Sequence, residues 1–258
     1  MKRLVACVLV LASLISPAWA DDQDDDAPNT GQDITKPVTR VDLRAGYQRT
    51  PGAANSWSFI ARTDKPFALG DGWKLSLRAD MPFVDNTTGN GYRLGLGDAL
   101  AQVLFINAID KRQAFGFGVQ IVAPTAGGQQ FGTGRYQLIP TLGYRYALPE
   151  ITPGSFFVGA VRYDFDFAGD PARKHIRNLQ FSPTLNIALP NQMFVTFYPS
   201  TDIRYNFITR SWFVPFDVQI GKMWGKSVVT SLEIATPIHN GASPLYKFKT
   251  EARLGIFF

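Results

Sequence analysis

Residues 247–258 alternate strictly. Phe248, Thr250, Ala252, Leu254, Ile256 and Phe258 form one set, and Lys247, Lys249, Glu251, Arg253, Gly255 and Phe257 the other. Side chains of a strand point to opposite faces with a period of two, so this is a β-strand with one mostly apolar and one largely charged face. A strand at the edge of a sheet leaves a row of unpaired N–H and C=O groups. Pairing with the first strand of the chain removes that edge. The fold predicted is all-β: a closed antiparallel transmembrane β-barrel of bacterial outer-membrane type.

The same alternation recurs upstream and predicts about twelve strands in all. They cover residues 40–49, 57–67, 73–84, 99–108, 114–124, 135–148, 155–167, 178–189, 193–205, 212–224, 228–238 and 247–258. The stretch 99–108 is apolar on both faces and marks the weakest boundary. Residues 85–97, rich in Asn, Gly and Thr, read as a long loop. Connections near 68, 110, 150, 191 and 226 are short. Those near 52, 90, 129, 172 and 241 are mostly longer, while that near 208 is short. Short periplasmic turns and longer outer loops are the bacterial outer-membrane pattern, and an even strand number returns both termini to the periplasm.

Residues 1–20 read as a signal peptide, with Lys2 and Arg3 ahead of an apolar core and Pro17-Ala18-Trp19-Ala20 as a cleavage site after Ala20. Cys7, the sole cysteine, would leave with it, so neither disulfide nor thiol chemistry is expected. No apolar run of 18 residues follows Ala20, which excludes a transmembrane helix. Residues 21–37 form an acidic lead-in, read as a flexible periplasmic spacer, and residues 38–258 form the barrel. The whole chain carries 26 Lys and Arg against 21 Asp and Glu. Five of those acids lie in the run Asp21–Asp26, so the positive balance belongs to the folded part. The basic residues do not cluster, which argues against nucleic acid as a partner.

Two features separate a membrane barrel from a soluble sandwich. Trp57 and Trp212 fall at predicted outer strand ends, Trp73 and Trp224 at periplasmic ends, all on the apolar register, as interface girdles require. The opposite face carries a near-balanced charge set. Its mid-strand members, Arg78, Asp80, Arg145, Arg162, Asp164, Asp202, Arg204, Asp217 and Glu233, are the candidate pore-lining and selectivity residues, because rings of charge set pore selectivity. Lys74, Asp42, Arg44, Arg62, Asp64, Asp166, Glu251 and Arg253 share that face. Inside a small lumen such charges must pair or hold water. Pro82, Pro140, Pro183, Pro199, Pro215 and Pro237 fall inside predicted strands, where each removes a ladder hydrogen bond, so bulges or breaks are expected there.

The string Phe131-Gly132-Thr133-Gly134-Arg135-Tyr136, the Pro140 strand, the run Phe165-Asp166-Phe167-Ala168-Gly169-Asp170 and the strand bearing Asn178, Gln180 and Pro183 belong together. In these the chain resembles the MetA-pathway of phenol degradation family of porin-like outer-membrane proteins. The resemblance covers roughly residues 36–258 and is best over 91–224. It implies a barrel and the passage of small hydrophobic or aromatic compounds, and brings no catalytic residues. The last strand also resembles the signal read by the barrel-insertion machinery, with Arg253 where a glycine is usual and glycine at Gly255 instead.

Three functions follow for testing. The first is a narrow channel or transporter with a charged lumen, not an enzyme, embedded among outer-membrane lipid and lipopolysaccharide. The second is a lipid- or lipopolysaccharide-modifying enzyme, which needs a nucleophile and base in contact. Its only histidines are His175 and His239, both predicted in outer loops, with Ser182 seven residues beyond His175. The third is a structural or surface-binding barrel with a plugged lumen. No phosphate loop, metal-spaced cluster or cofactor motif stands out, so neither metal nor cofactor is expected.

Overall fold

The computed structural model describes residues 29–51, 55–88 and 91–258. The signal-peptide expectation and the first part of the acidic lead-in lie outside the described residues. Fourteen β-segments follow in order: β1 (Arg40–Arg49), β2 (Asn55–Gly70), β3 (Trp73–Thr88), β4 (Gly91–Leu96), β5 (Ala99–Ala108), β6 (Gln113–Ala123) and β7 (Arg135–Ala147). They continue with β8 (Phe156–Gly169), β9 (Arg177–Leu189), β10 (Met193–Phe197), β11 (Ile203–Asn206), β12 (Ser211–Trp224), β13 (Val228–Asn240) and β14 (Phe248–Phe257). Two pairs are single staves interrupted midway. β4 and β5 both pair with β3, and β10 and β11 both lie between β9 and β12. The result is a closed antiparallel barrel of twelve staves.

Closure is made by β1 and β14, in register from Arg40 opposite Phe257 to Arg49 opposite Phe248. This leaves the sheet without an open edge, the condition for strands to cross lipid. Each alternate set keeps its predicted face. Leu43, Phe117, Leu142, Phe216, Ile220, Leu232 and Leu254 are exposed outside, and Asp42, Gln102, Asp217 and Glu233 are buried inside. Trp57, Trp212 and Trp224 are exposed on the outer surface, the first two toward one end and the third toward the other. Trp73 joins Trp224 at that second end, half-buried edge-on against Phe115 and Phe117.

Prolines and ladder gaps coincide. A register shift falls between Val214 and Pro215. Pro199 lies in the break between β10 and β11. Pro183, on β9, keeps its pairing with Gly159 but faces that same break on its other side. There the Tyr198 carbonyl accepts bonds from the Thr184 and Ser182 hydroxyls at 2.8 and 3.4 Å. Pro82 sits beside the break between β4 and β5, its carbonyl accepting the Gly97 N–H at 2.8 Å. Proline thus concentrates where the ladder asks for no donor. Pro237 faces Pro215 across the Val214/Pro215 shift, where Ile238 is left out of the pairing, and Pro183 causes no register shift of its own.

Three expectations need correction. Residues 85–97 are not an open loop: β3 extends to Thr88 and β4 returns as its hairpin partner, because backbone pairing does not require an apolar face. His239 lies in β13 opposite Val214, not in a loop. Lys74, at the start of β3, keeps the inward register opposite Ile106 but is exposed rather than packed inside the lumen. The ambiguity of β5 also has a cause. Leu104 and Ile106 are buried on its inner face, where the lumen near the chain termini is itself apolar. At that end the turn after β5 is fixed by Asp110, whose carboxylate is held below its ordinary range by the Arg112 and Gln113 backbone N–H groups.

Closed barrels resist detergent until heated. Unboiled protein should therefore run faster than boiled protein on a denaturing gel, and deletion of residues 248–258, which removes the closing strand, should abolish the fast band. Equal mobility before and after boiling would contradict the closed barrel.

Candidate functional site: the lumen

The inner face is organised in levels. At the end holding the termini it is apolar: Phe194, Met223, Val229 and Phe257 form a buried cluster with Val38 packed against it. Just above, the chain ahead of β1 crosses the lumen. This corrects the flexible lead-in for residues 29–37, which are bound to the barrel wall. The Thr30 and Gly31 carbonyls accept from Arg253 and Arg40 at 3.3 and 2.5 Å. Gln32 Nε2 donates to Gln219 Oε1 at 2.6 Å. Asp33 forms a buried ion pair with Arg145 at 2.5 Å, and the Ile34 side chain reaches Gly143 on β7.

The strap is also bonded to itself. Asp33 Oδ1 accepts from the Thr35 N–H and hydroxyl, and Asn29 Nδ2 donates to the Lys36 carbonyl at 2.7 Å. Gly31 has φ +69°, and a Cβ there would strike the Arg40 guanidinium, so this turn depends on glycine. An acidic, polar sequence with no apolar periodicity gives no sign of such burial. Its partners are hydrogen-bonding groups on the wall rather than a hydrophobic core, and only the closed barrel brings them together.

Above the strap, charges are sorted by wall. Along β14, β1, β2 and β3, five arginines interleave with four acids. Asp42 accepts from Arg253 at 3.0 Å and from Arg44 at 3.4 Å, and Arg44 also reaches Glu251 at 2.8 Å. Asp64 bridges Arg40 and Arg78, both at 2.9 Å, and Arg62 clamps Asp80 through two bonds of 2.8 and 2.6 Å. Guanidinium forks suit this bidentate geometry, and removing any one member strands its partner's charge. Across β12, β13 and β14 the balance inverts. Lys249 Nζ is the cation shared by Asp202 (2.9 Å) and Glu233 (2.7 Å), Tyr246 donates to Asp202, and both Asp217 carboxylate oxygens lack a hydrogen-bond donor.

All nine expected lumen residues therefore face inward. Arg78, Asp80, Asp202 and Glu233 are ion-paired on these two walls, and Arg145 holds the strap. On the remaining wall Asp164 accepts from Asn178 and Gln180 at 3.1 and 3.3 Å, and Arg162 donates to the Thr201 hydroxyl at 2.9 Å. Asp217 is buried beside Glu233, and Arg204 stands level with Gln180 on β9. Solvent reaches the middle of the lumen unevenly: the Arg62 and Asp202 side chains are 16% and 19% exposed, whereas Asp42 and Arg253 are fully buried. Arg40, Asp33, Gln32, Tyr246 and Lys249 were not among the expected site residues. Lys249 and Arg40 could have been found from the inward register of their strands. Gln32 and Asp33 could not.

The hydrolase arrangement does not form. His175 is bonded to Arg135 and Asp166 beyond the end of β8, and Ser182 to Thr184 and the Tyr198 carbonyl. Neither contacts the other. Among the described residues no group of three or more His, Cys, Asp or Glu side chains is placed to hold a metal ion.

No protein-family model matches the chain. No curated protein sequence is similar to it. Solved structures do share its fold. An outer membrane channel from Pseudomonas putida F1 aligns over 93% of this chain and 100% of its own, with TM-score 0.62 at 16% identity. The NanC porin aligns over 84% and 98%, with TM-score 0.54 at 13% identity. The KdgM porin aligns over 85% and 99%, with TM-score 0.52 at 10% identity. At these identities the likeness shows the closed antiparallel β-barrel fold and nothing finer.

Asp42 neutralises three guanidiniums at once. Asp42→Ala should lower stability by about 3–5 kcal/mol, the usual cost of stranding buried charge. The temperature at which the fast-migrating gel band disappears reports it. An Asp42→Ala/Arg253→Met double variant should recover part of the loss. An unchanged melting temperature for the single variant would show that this network does not hold the wall.

Proposed function

We propose that this protein is an outer-membrane channel for small solutes, closed in the present conformation by the strap of residues 29–39. The observation that carries the reading is the placement of that strap. It bars the apolar end of a closed barrel whose middle is charged and reached by solvent. Shared architecture with channel and porin structures supports it. So does the resemblance to the MetA-pathway of phenol degradation family, which implies small hydrophobic or aromatic cargo.

In this reading Arg78, Asp80, Arg145, Arg162, Asp164, Asp202, Arg204, Asp217 and Glu233 line the path and select among solutes. Trp57 and Trp212 sit at the outer headgroup level and Trp73 and Trp224 at the inner one, among outer-membrane lipid and lipopolysaccharide. The strand ending near Phe258 is the segment read by the insertion machinery after export and removal of residues 1–20. The separation of His175 from Ser182 leaves the enzyme reading without a site. A permanently plugged structural barrel differs from the channel only in whether the strap ever leaves.

That difference is measurable in planar bilayers. Asp33→Arg sets like charge against Arg145 and should raise the open probability severalfold. A Gln32→Cys/Gln219→Cys protein joined by a short bis-maleimide linker should stay closed. If neither the native protein nor Asp33→Arg passes ions, and neither supports solute uptake in swelling liposomes, the channel reading fails. If the linked protein conducts like the native one, the strap is not the barrier.

A further inference from the structure

The lumen arginines differ in one respect. Arg40, Arg44, Arg62, Arg78, Arg135, Arg145 and Arg253 each have a carboxylate within ion-pair distance. Among the described residues Arg162 and Arg204 have none. Arg162 donates one bond, to the neutral Thr201 hydroxyl, and the Nε–H of each is buried without an acceptor, as it also is on Arg44, Arg135, Arg145 and Arg253. Orphaned donors on a charged group carry the full cost of desolvation.

The two are neighbours by register. Gln180 on β9 pairs with Arg162 on β8 and with Arg204 on β11, so the three form one row across adjacent staves. With strands spaced ~4.8 Å apart, the arginine backbones stand roughly 10 Å from each other, and their long side chains can converge on one small group. The two nearest acids have other partners. Asp164 accepts from Asn178 and Gln180, and Asp202 from Lys249 and Tyr246. Arg162 lies one inward position above Ala160, which pairs with Gly143 where the strap residue Ile34 rests. The row therefore stands directly over the strap.

We infer that Arg162 and Arg204 form a binding site for a small organic anion, a carboxylate, in the charged middle of the lumen just above the strap. Each guanidinium presents a planar fork of donors, the geometry a carboxylate accepts through two parallel bonds. Gln180 between them is turned toward Asp164, which, like Asp202, lies close enough to attract Arg204 but beyond ion-pair distance, so neither fork is filled. Arg62 across the lumen is neutralised by Asp80, which leaves Arg162 and Arg204 as the lumen guanidiniums without an ion-pair partner. The inference deepens the channel reading by naming the class of solute, and rests on it for the meaning of the site as a selectivity element.

Calorimetry of the detergent-folded protein tests the site without requiring conduction. Benzoate and benzamide are alike in shape and differ in charge. Benzoate should bind and benzamide should not, and Arg162→Gln/Arg204→Gln should weaken benzoate by about tenfold or more. In bilayers the same double variant should lose preference for anions over cations, with its heat-shifted gel band confirming the fold. Equal binding of the two compounds, or no binding of benzoate to the native protein, overturns the site even if the variant fails to fold. Benzoate binding with neither conductance nor solute uptake by the native protein or Asp33→Arg would uphold the site and sink the channel. Conductance with no benzoate preference would do the reverse.

Discussion

The pairing of β1 with β14 is the interaction on which everything else rests. Hydrocarbon offers no hydrogen bonds, so every ladder donor and acceptor at membrane depth needs a partner within the protein, and an open sheet edge would leave a whole row without one. Ten residues of β1 lie in register with β14, and that seam turns a twisted sheet into an enclosure. Only then does the charged face become an interior. Only then can arginines from β14, β1, β2 and β3 meet acids on neighbouring staves at ion-pair distances.

The breaks in the wall fit the same constraint. Two staves are interrupted, and Pro82, Pro183 and Pro199 lie beside the interruptions. Each gap is bridged by bonds outside the regular ladder, from Gly97 to Pro82 on one side and from Ser182 and Thr184 to Tyr198 on the other. Proline is tolerated because the ladder is already open there. The interrupted stave also brings Ser200 and Asp202 into reach of Glu233 and Lys249, so a defect in the wall builds part of the lumen's charged lining.

The interior is neither uniformly ionic nor empty. An apolar floor, a polar strap and a charged middle follow one another along the axis. The strap's grip is polar: one buried ion pair, one amide pair and carbonyls accepting from arginines. Such contacts exchange more readily with water and solutes than an equal area of packed apolar surface, as the proposed channel would require of its barrier.

Much of this was legible in the residues alone. A period of two repeated through twelve segments dictates strands, and an apolar set facing a charged set dictates which side meets lipid, because each residue's contribution to burial is local. Leu232 against Glu233, or Leu254 against Arg253, can be read without knowing any partner. The strap could not be read in this way, since Gln32 and Asp33 carry no periodicity and find their partners 187 and 112 positions away, on β12 and β7. Nor could composition separate Arg162 and Arg204 from the paired arginines. Which charges cancel is a matter of distance across the lumen, and that is set by closure and register rather than by the order of residues along the chain.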